Sequence, residues 1–455
     1  MDRTQLLGSE TIPRLLLRFS LPAIVGMLVN ALYNIVDRIF IGNSVGSLGL
    51  AGVTIGFPIM LIVMACTMLI GLGANSLVSI RLGEGRKEEA ERILANALVL
   101  LVLVSIAITI LGLVFLDPVL VLFGASKAVL PYARDYMRII LAGVIFQGLG
   151  FGMNNFIRGA GDPKTAMLTM LIGAVLNAIL CPIFIFGFGW GIKGSALATV
   201  LSQAASASWV LAYFVAGRGS LRLRSANLGL RPKLVASILA LGSAPFIMQL
   251  AASLVQVIFN KSLERYGGDT AISGMGIVMA VSTLIMMPIF GINQGVQPII
   301  GFNYGARNLG RVREALVKAI LVATAIDLVG FAGVELFSRQ IVLAFNHNDA
   351  ALVDFATGAM RLFLVFLPII GFQVISANYF QAVGKPRQAS FLSLSRQLLL
   401  LVPAVLVLPL FFGLRGVLYA GPLSDLCSSL LTGFWILREM ARLKAEEGRA
   451  GPGRG

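Results

Sequence analysis

The chain has 455 residues, 57% of them hydrophobic and 13% charged, with a mean hydropathy of +0.89. That composition excludes an ordinary soluble domain, and the absence of alternating apolar and polar strand patterns excludes a closed membrane barrel. A net charge of +15 would suggest nucleic acid for a soluble protein, but in a chain this apolar it bears on which side of a membrane the Lys and Arg occupy.

A membrane span needs roughly 20 apolar residues. Twelve such runs are predicted, near 15–40, 51–80, 93–116, 138–158, 166–187 and 192–215, then 236–262, 271–302, 315–337, 360–382, 390–412 and 415–437. The fold expected is therefore all-α and polytopic, with twelve transmembrane helices in two six-helix bundles. The N-terminal bundle covers 1–215, a basic linker 216–235, the C-terminal bundle 236–440 and a basic tail 441–455.

Span 1 follows Arg14 and Arg18. Its apolar run is too long for a signal peptide and lacks a small-x-small cleavage site, so it reads as an uncleaved span. Within it Asn30, Tyr33, Asn34 and Asp37 fall at i, i+3, i+4 and i+7, one face of a helix. A polar stripe in lipid must face protein or water. It is either a hydrogen-bonded seam between helices or a site where Asp37 takes up and releases a proton, or binds a cation when ionised.

Span 2 carries Gly71 and Gly73; with no strand before them and lipid around them they are not a dinucleotide fingerprint. Span 5 holds Asn177 four residues before Cys181 and Pro182, and span 6 holds Thr199 after the Gly194-Ser195 turn. An amide and a hydroxyl suit a hard cation or a proton-linked network, and equally the polar ties common between membrane helices.

The second half repeats these features with a change of chemistry. Gln249, Gln256 and Asn260 in span 7 are polar candidates for the wall of a central cleft, and Asn260 is the repeat partner of Asp37 (260 − 37 = 223). Gly291, Gly295, Gly301 and Gly305 crowd span 8 with Pro288 and Pro298, permitting close helix approach or bending. Asp327 in span 9, Arg396 in span 11 and Asp425 in span 12 are further charges at membrane depth, default functional candidates. Arg396 is able to reach Asp425, and Asp425, Arg396, Asn260 and Gln249 together mark a possible second site in the C-terminal bundle. Cys66, Cys181 and Cys427 sit singly, with neither disulfide nor zinc spacing. The one histidine, His347, lies in a loop.

The repeat itself is explicit. Arg81-Leu82-Gly83 returns as Asn303-Tyr304-Gly305 (305 − 83 = 222), Gly161-Asp162-Pro163 as Gly384-Lys385-Pro386, and Gly191-Ile192-Lys193-Gly194 as Gly413-Leu414-Arg415-Gly416. A period this long is not a solenoid repeat; it implies two homologous bundles around a central site. With both termini cytoplasmic, 26 of the 36 Lys and Arg fall on the inner side, a positive-inside distribution. That face suits anionic lipid headgroups rather than nucleic acid.

Taken together, Asn34-Ile35-Val36-Asp37, Arg158-Gly159-Ala160-Gly161-Asp162 with Pro163, and Gly301-Phe302-Asn303-Tyr304-Gly305-Ala306, in this order within two six-span halves, resemble the multidrug and toxic compound extrusion (MATE) family. The resemblance is strongest to its bacterial branch typified by the MepA and DinF exporters and covers nearly the whole chain. It implies a transporter of the bacterial plasma membrane, not an enzyme. Such a transporter exports cationic or amphipathic small molecules in exchange for protons or sodium ions, with no cofactor beyond the coupling ion. By the same resemblance Asp37, Asn177 and Thr199 match the cation-handling positions, with Tyr33, Asn34, Tyr136 and Asn154 around them.

Where many relatives carry a second aspartate, this chain has Cys181. A thiol is a poor ligand for a hard cation, so proton coupling through Asp37 is favoured over sodium at Asp37, Asn177 and Thr199. Ionised Asp37 then favours the drug-bound state, and protonation from outside releases the drug. The alternative within the wider superfamily is a lipid-linked saccharide or phospholipid flippase, for which several midspan cations are expected, whereas only Arg396 and Arg38 lie deep. A membrane enzyme lacks a nucleophile–base or metal set, and repeated halves suit alternating access better than a channel. One chain holds both bundles, so a monomer suffices.

Overall fold

The computed structural model describes the backbone of residues 5–45, 47–217, 219–345 and 349–449; the side chains of 5, 33–35, 38, 39, 42, 43, 47, 269, 448 and 449 are outside the description. His347 lies outside the described residues. Among the described residues the secondary structure is helical, with no strand.

After a short turn of helix at Gln5–Ser9, six helices form the first half: α1 Ile12–Val45, α2 Ser47–Gly83, α3 Lys87–Val114, α4 Leu130–Ala142 with Val144–Gly159, α5 Pro163–Pro182 and α6 Gly191–Val215. Six more form the second: α7 Pro232–Gly268, α8 Thr270–Gly305, α9 Leu309–Phe345, α10 Ala350–Phe363 with Leu367–Ala382, α11 Pro386–Phe412 and α12 Leu414–Arg449. α4 and α10 are the repeat partners that bend, by 54° and 50°.

Among the described residues nine helices are long and apolar enough to cross a membrane, and each bent pair makes one more. α12 carries buried Ser424, Asp425, Ser428 and Thr432 along one side, and its last turns, over 438–449, are rich in charge. Local chemistry sets the boundaries: Asp162 caps α5 by accepting from the Thr165 N–H at 3.3 Å, with Pro163 in the first turn, as a helix start requires. Gly268, at φ 63°, breaks α7 from α8, a left-handed conformation that a Cβ disfavours.

Each bundle has an apolar core, but the first helix of each half begins in the core of the other. Ile12, Leu15, Leu16 and Phe19 of α1 pack with α8, α9 and α10, and Ile238 of α7 packs with α2 and α3. The seam between bundles is built by glycine. Gly83 lies against the Phe302 carbonyl and Gly305 against the Ile80 carbonyl, so closely that a Cβ on either would collide. These contacts are symmetry mates under the repeat (305 − 83 = 222; 302 − 80 = 222). Gly73 against Gly242 and Gly295 against Ser20, each with a Cβ approach of 2.7 Å, are a second such pair (295 − 73 = 222; 242 − 20 = 222). The interface is thus isologous, one surface pairing with its own repeat.

Gln297 Nε2 donates to Ser76 Oγ at 3.0 Å, and Arg311 Nη2 donates to the Glu10 carbonyl at 2.6 Å. Among the described residues, the hydrogen bonds and glycine contacts that join the bundles all lie in the half of the molecule that carries the N-terminus and the linker. Towards the opposite end Leu32, Leu254, Val257 and Leu284 are exposed.

Candidate functional site

Asp37 lies in the last third of α1, away from the inter-bundle seam, and is 8% exposed. Its Oδ1 accepts a hydrogen bond from the Ser195 hydroxyl at 2.8 Å and one from the Cys181 thiol at 3.1 Å. One turn along, Asn177 Nδ2 donates to Thr199 Oγ1 at 3.2 Å. The two layers are in register because α5 and α6 run antiparallel. Cys181 follows Asn177 by four residues and Thr199 follows Ser195 by four, so each pair stacks on one helix face.

Close approach of the two helices is what makes this possible. A Cβ at Gly194 would meet the Phe184 carbonyl oxygen at 2.8 Å, so glycine there lets the adjacent Ser195 reach across to α1. Phe184, Phe188 and Trp190 stack beside this turn, with ring centroids 5.2–5.9 Å apart. Trp190 is half exposed, as aromatic residues at a membrane–water boundary are. Ser195 is five residues further along, about 8 Å at 1.5 Å per residue, which places Asp37 inside the apolar layer but near one face.

Hydrogen bonds to a carboxylate stabilise its negative charge. Asp37, Ser195, Asn177 and Thr199 bring four oxygen-bearing side chains into two adjacent layers with one acidic group among them. Among the described residues no three His, Cys, Asp or Glu side chains cluster as a metal site would require. One carboxylate beside two hydroxyls and an amide is chemically suited to carry a proton, or to offer oxygens to a hard monovalent cation.

The other expected members scatter. Tyr136 is buried in the same apolar cluster as Cys181. Asn154 lies beyond the bend of α4, beside Met153 in a different cluster, and its Oδ1 has no hydrogen-bond partner. The Tyr33 and Asn34 side chains are outside the described residues; Asn30 is exposed although Asp37 is buried, so the stripe on α1 spans two environments.

In the second half Arg396, on the π-helical stretch Ser395–Leu401 of α11, donates from Nε to Asp425 Oδ1 at 2.6 Å, and Ser424 Oγ donates to the Arg396 carbonyl at 2.7 Å. Neither Gln249 nor Asn260 hydrogen-bonds to this pair; Asn260 instead accepts from Gln256 at 2.9 Å on the exposed side of α7. Asp327 is fully buried, and its Oδ2 accepts the Gly371 N–H at 2.6 Å, just past the bend of α10.

A model of the MatE family matches the chain twice, over residues 22–183 and 245–406. The chain belongs to the MATE family. The two matches begin 223 residues apart (245 − 22 = 223), so the MATE unit recurs once in each half, covering its first five helices. The multidrug export protein MepA of Staphylococcus aureus is 26% identical over 405 residues, 89% of each chain. Among solved structures, a multidrug resistance MATE transporter of the MOP superfamily in an outward-facing conformation superimposes with a TM-score of 0.92 at 27% identity, over 98% of this chain and 99% of that one. A MOP superfamily transporter from Pyrococcus furiosus, described as having a binding pocket of reversed polarity that suggests a different function, superimposes at 0.91 with 28% identity over the same shares. These relatives are transporters and not enzymes, and this MATE chain is a multi-pass membrane transporter.

Sequence reasoning missed Ser195, which at 2.8 Å is closer to Asp37 than the Cys181 thiol at 3.1 Å. Its signal is present: Ser195 precedes Thr199 by one helical turn, so a face carrying one polar group extends to the other. Cys181, which stands where the resemblance implies a second aspartate in many relatives, is itself a partner of Asp37.

Proposed function

We propose that this MATE transporter exports cationic, amphipathic small molecules in exchange for protons entering the cell, with Asp37 as the coupling group. The observation that carries the reading is a single buried carboxylate held by a hydroxyl and a thiol donor, 2.8 Å and 3.1 Å away. A proton site needs one tunable carboxylate, whereas a sodium site prefers several oxygen ligands with net negative charge; a thiol, a poor ligand for a hard cation, in place of a second carboxylate favours the proton.

In this reading both termini are cytoplasmic, consistent with the positive charge on that side. The glycine seam then closes the inner half of the molecule, and the conformation is outward-open. Ionised Asp37 supports the drug-bound state; a proton arriving from outside neutralises it, lowers drug affinity and releases the drug outward. Because linkage is reciprocal, drug binding must weaken proton binding by the same factor. Half-buried Gln249 and exposed Gln256 and Asn260 on α7 are proposed cleft-wall residues, and one chain acts as the working unit in a bacterial plasma membrane.

The test is export of a cationic dye from reconstituted vesicles under an imposed proton or sodium gradient, with Asp37→Asn as the control. Proton-driven export lost in Asp37→Asn supports the proposal. Sodium-driven export would assign the oxygens of Asp37, Asn177, Thr199 and Ser195 to a sodium ion. If neither gradient drives export, the superfamily reading as a lipid-linked saccharide or phospholipid flippase takes over. The reversed pocket polarity described for the Pyrococcus furiosus relative makes that outcome worth measuring with an anionic substrate in parallel.

A further inference from the structure

A cavity of about 380 Å³ opens on the lateral surface between α1 and α9, remote from Asp37. Leu17, Leu21 and Ile24 form one wall; Leu321, Val322 and Ile326 form the other. The groove starts at Pro13 on α1 and Lys318 on α9, the ends nearest the N-terminus and linker. From there to Ile24 and Ile326 it runs about 12–16 Å along the helix axes at 1.5 Å per residue. That length is about one leaflet of a hydrocarbon layer roughly 30 Å thick.

Positive charge at one end distinguishes this groove from a merely greasy helix surface. Lys318 stands at its mouth, and Arg14, one turn before the lining residue Leu17, is exposed. Lys318 is shared with Glu314 at 2.6 Å, and Arg18 nearby with Glu10 at 3.3 Å, while Arg14 makes no ion pair among the described residues. A guanidinium fork recognises phosphate oxygens, and a lysine whose stem lies along apolar wall presents its ammonium at the headgroup level.

We propose that this groove binds one anionic phospholipid of the leaflet on that side. An acyl chain lies between α1 and α9, and the phosphate is held by Arg14 and Lys318. The first half of α1 is the segment that packs in the core of the opposite bundle, so the lipid braces the joint about which the bundles move. The site is independent of the proton and drug chemistry assigned to Asp37.

The test is native mass spectrometry of the purified full chain released from bilayers of equal phosphatidylglycerol and phosphatidylcholine, with no gradient and no drug. Wild type is expected to retain one phosphatidylglycerol per chain, several-fold in preference to phosphatidylcholine. Arg14→Gln combined with Lys318→Gln should abolish the preference, and Leu321→Trp or, separately, Val322→Phe should lower retention of both lipids by filling the groove; variants are compared only when monodisperse. Persistence of the preference without the two cations overturns the headgroup assignment. Retention unchanged by both groove-filling substitutions, or displacement of the lipid by a cationic export substrate, overturns the groove as a lipid site.

Discussion

Ser195 donates a hydrogen bond to Asp37 at 2.8 Å across 158 residues of chain, tying α6 to α1 at the one acidic group of the N-terminal bundle site. A hydrogen bond to a charged acceptor contributes about 1.5–3 kcal/mol. Ser195→Ala, which leaves the buried carboxylate short of a donor, is therefore expected to lower stability by about 1.5–3 kcal/mol, read as a lower melting temperature, and to reduce driven dye export. Ser195→Thr, which keeps the hydroxyl, should retain most of the activity.

Cys181→Asp would place a second carboxylate one turn from Asn177 and against Asp37. Two carboxylates with an amide and two hydroxyls form a harder, more negative cage. The variant is expected to gain a sodium-dependent rise in melting temperature that wild type lacks, since a ligand binding only the folded state stabilises it by about 2.7 kcal/mol at 100 times its Kd. Thermal unfolding in sodium against choline salts reads this directly; no difference between the salts would refute it.

The glycine seam predicts symmetric effects. Gly83→Val and Gly305→Val each drive a side chain into the carbonyl of the other bundle. Overpacking of this kind costs about 1–3 kcal/mol. Both variants should lose export to a similar degree and admit water-soluble thiol reagents from the linker side to a cysteine at Ser76. Opposite behaviour of the two would break the pseudo-two-fold argument.

Arg396 and Asp425 should respond unequally. The Asp425 side chain is 4% exposed but that of Arg396 is 32% exposed. Removing one partner of a buried pair costs about 3–5 kcal/mol because the other charge is left without compensation. Arg396→Met, which strands the buried carboxylate, is expected to lower stability by that order. Asp425→Asn should cost less, since Arg396 can still meet solvent or headgroups, and the double variant should recover most of the loss. Melting temperatures of the three variants decide it.

Asp327 is held by a backbone donor rather than by a cation. Asp327→Asn keeps an acceptor for the Gly371 N–H and should be nearly neutral in stability. Gly371→Ala, whose Cβ would collide with Asp327 Oδ2, should destabilise by about 1–3 kcal/mol. Comparable losses in the two variants would show that the charge of Asp327 matters as well as its acceptor.

What the sequence alone determined is what helical periodicity and lipid impose locally. Runs of some 20 apolar residues give the spans, the recurrence at 222 or 223 residues gives two halves, and Asp37 stands out because a charge within an apolar run demands an explanation. Asn177 and Thr199 could be singled out as polar groups, and Arg396 with Asp425 as opposite charges near each other in depth. Only the tertiary structure decided that Ser195 and Cys181 meet Asp37, that Asn154 lies on the far side of the α4 bend, and that Asn260 and Gln249 stand apart from the Arg396–Asp425 pair. It alone revealed that the first helix of each half begins in the core of the other, across a seam where Gly83 and Gly305 swap places under the repeat. The division has a physical cause. A helix is fixed by hydrogen bonds four residues apart, which the chain carries within itself. Which helices touch, and at which turn, is fixed by van der Waals packing between surfaces more than a hundred residues apart, where one missing Cβ decides how closely two backbones can come.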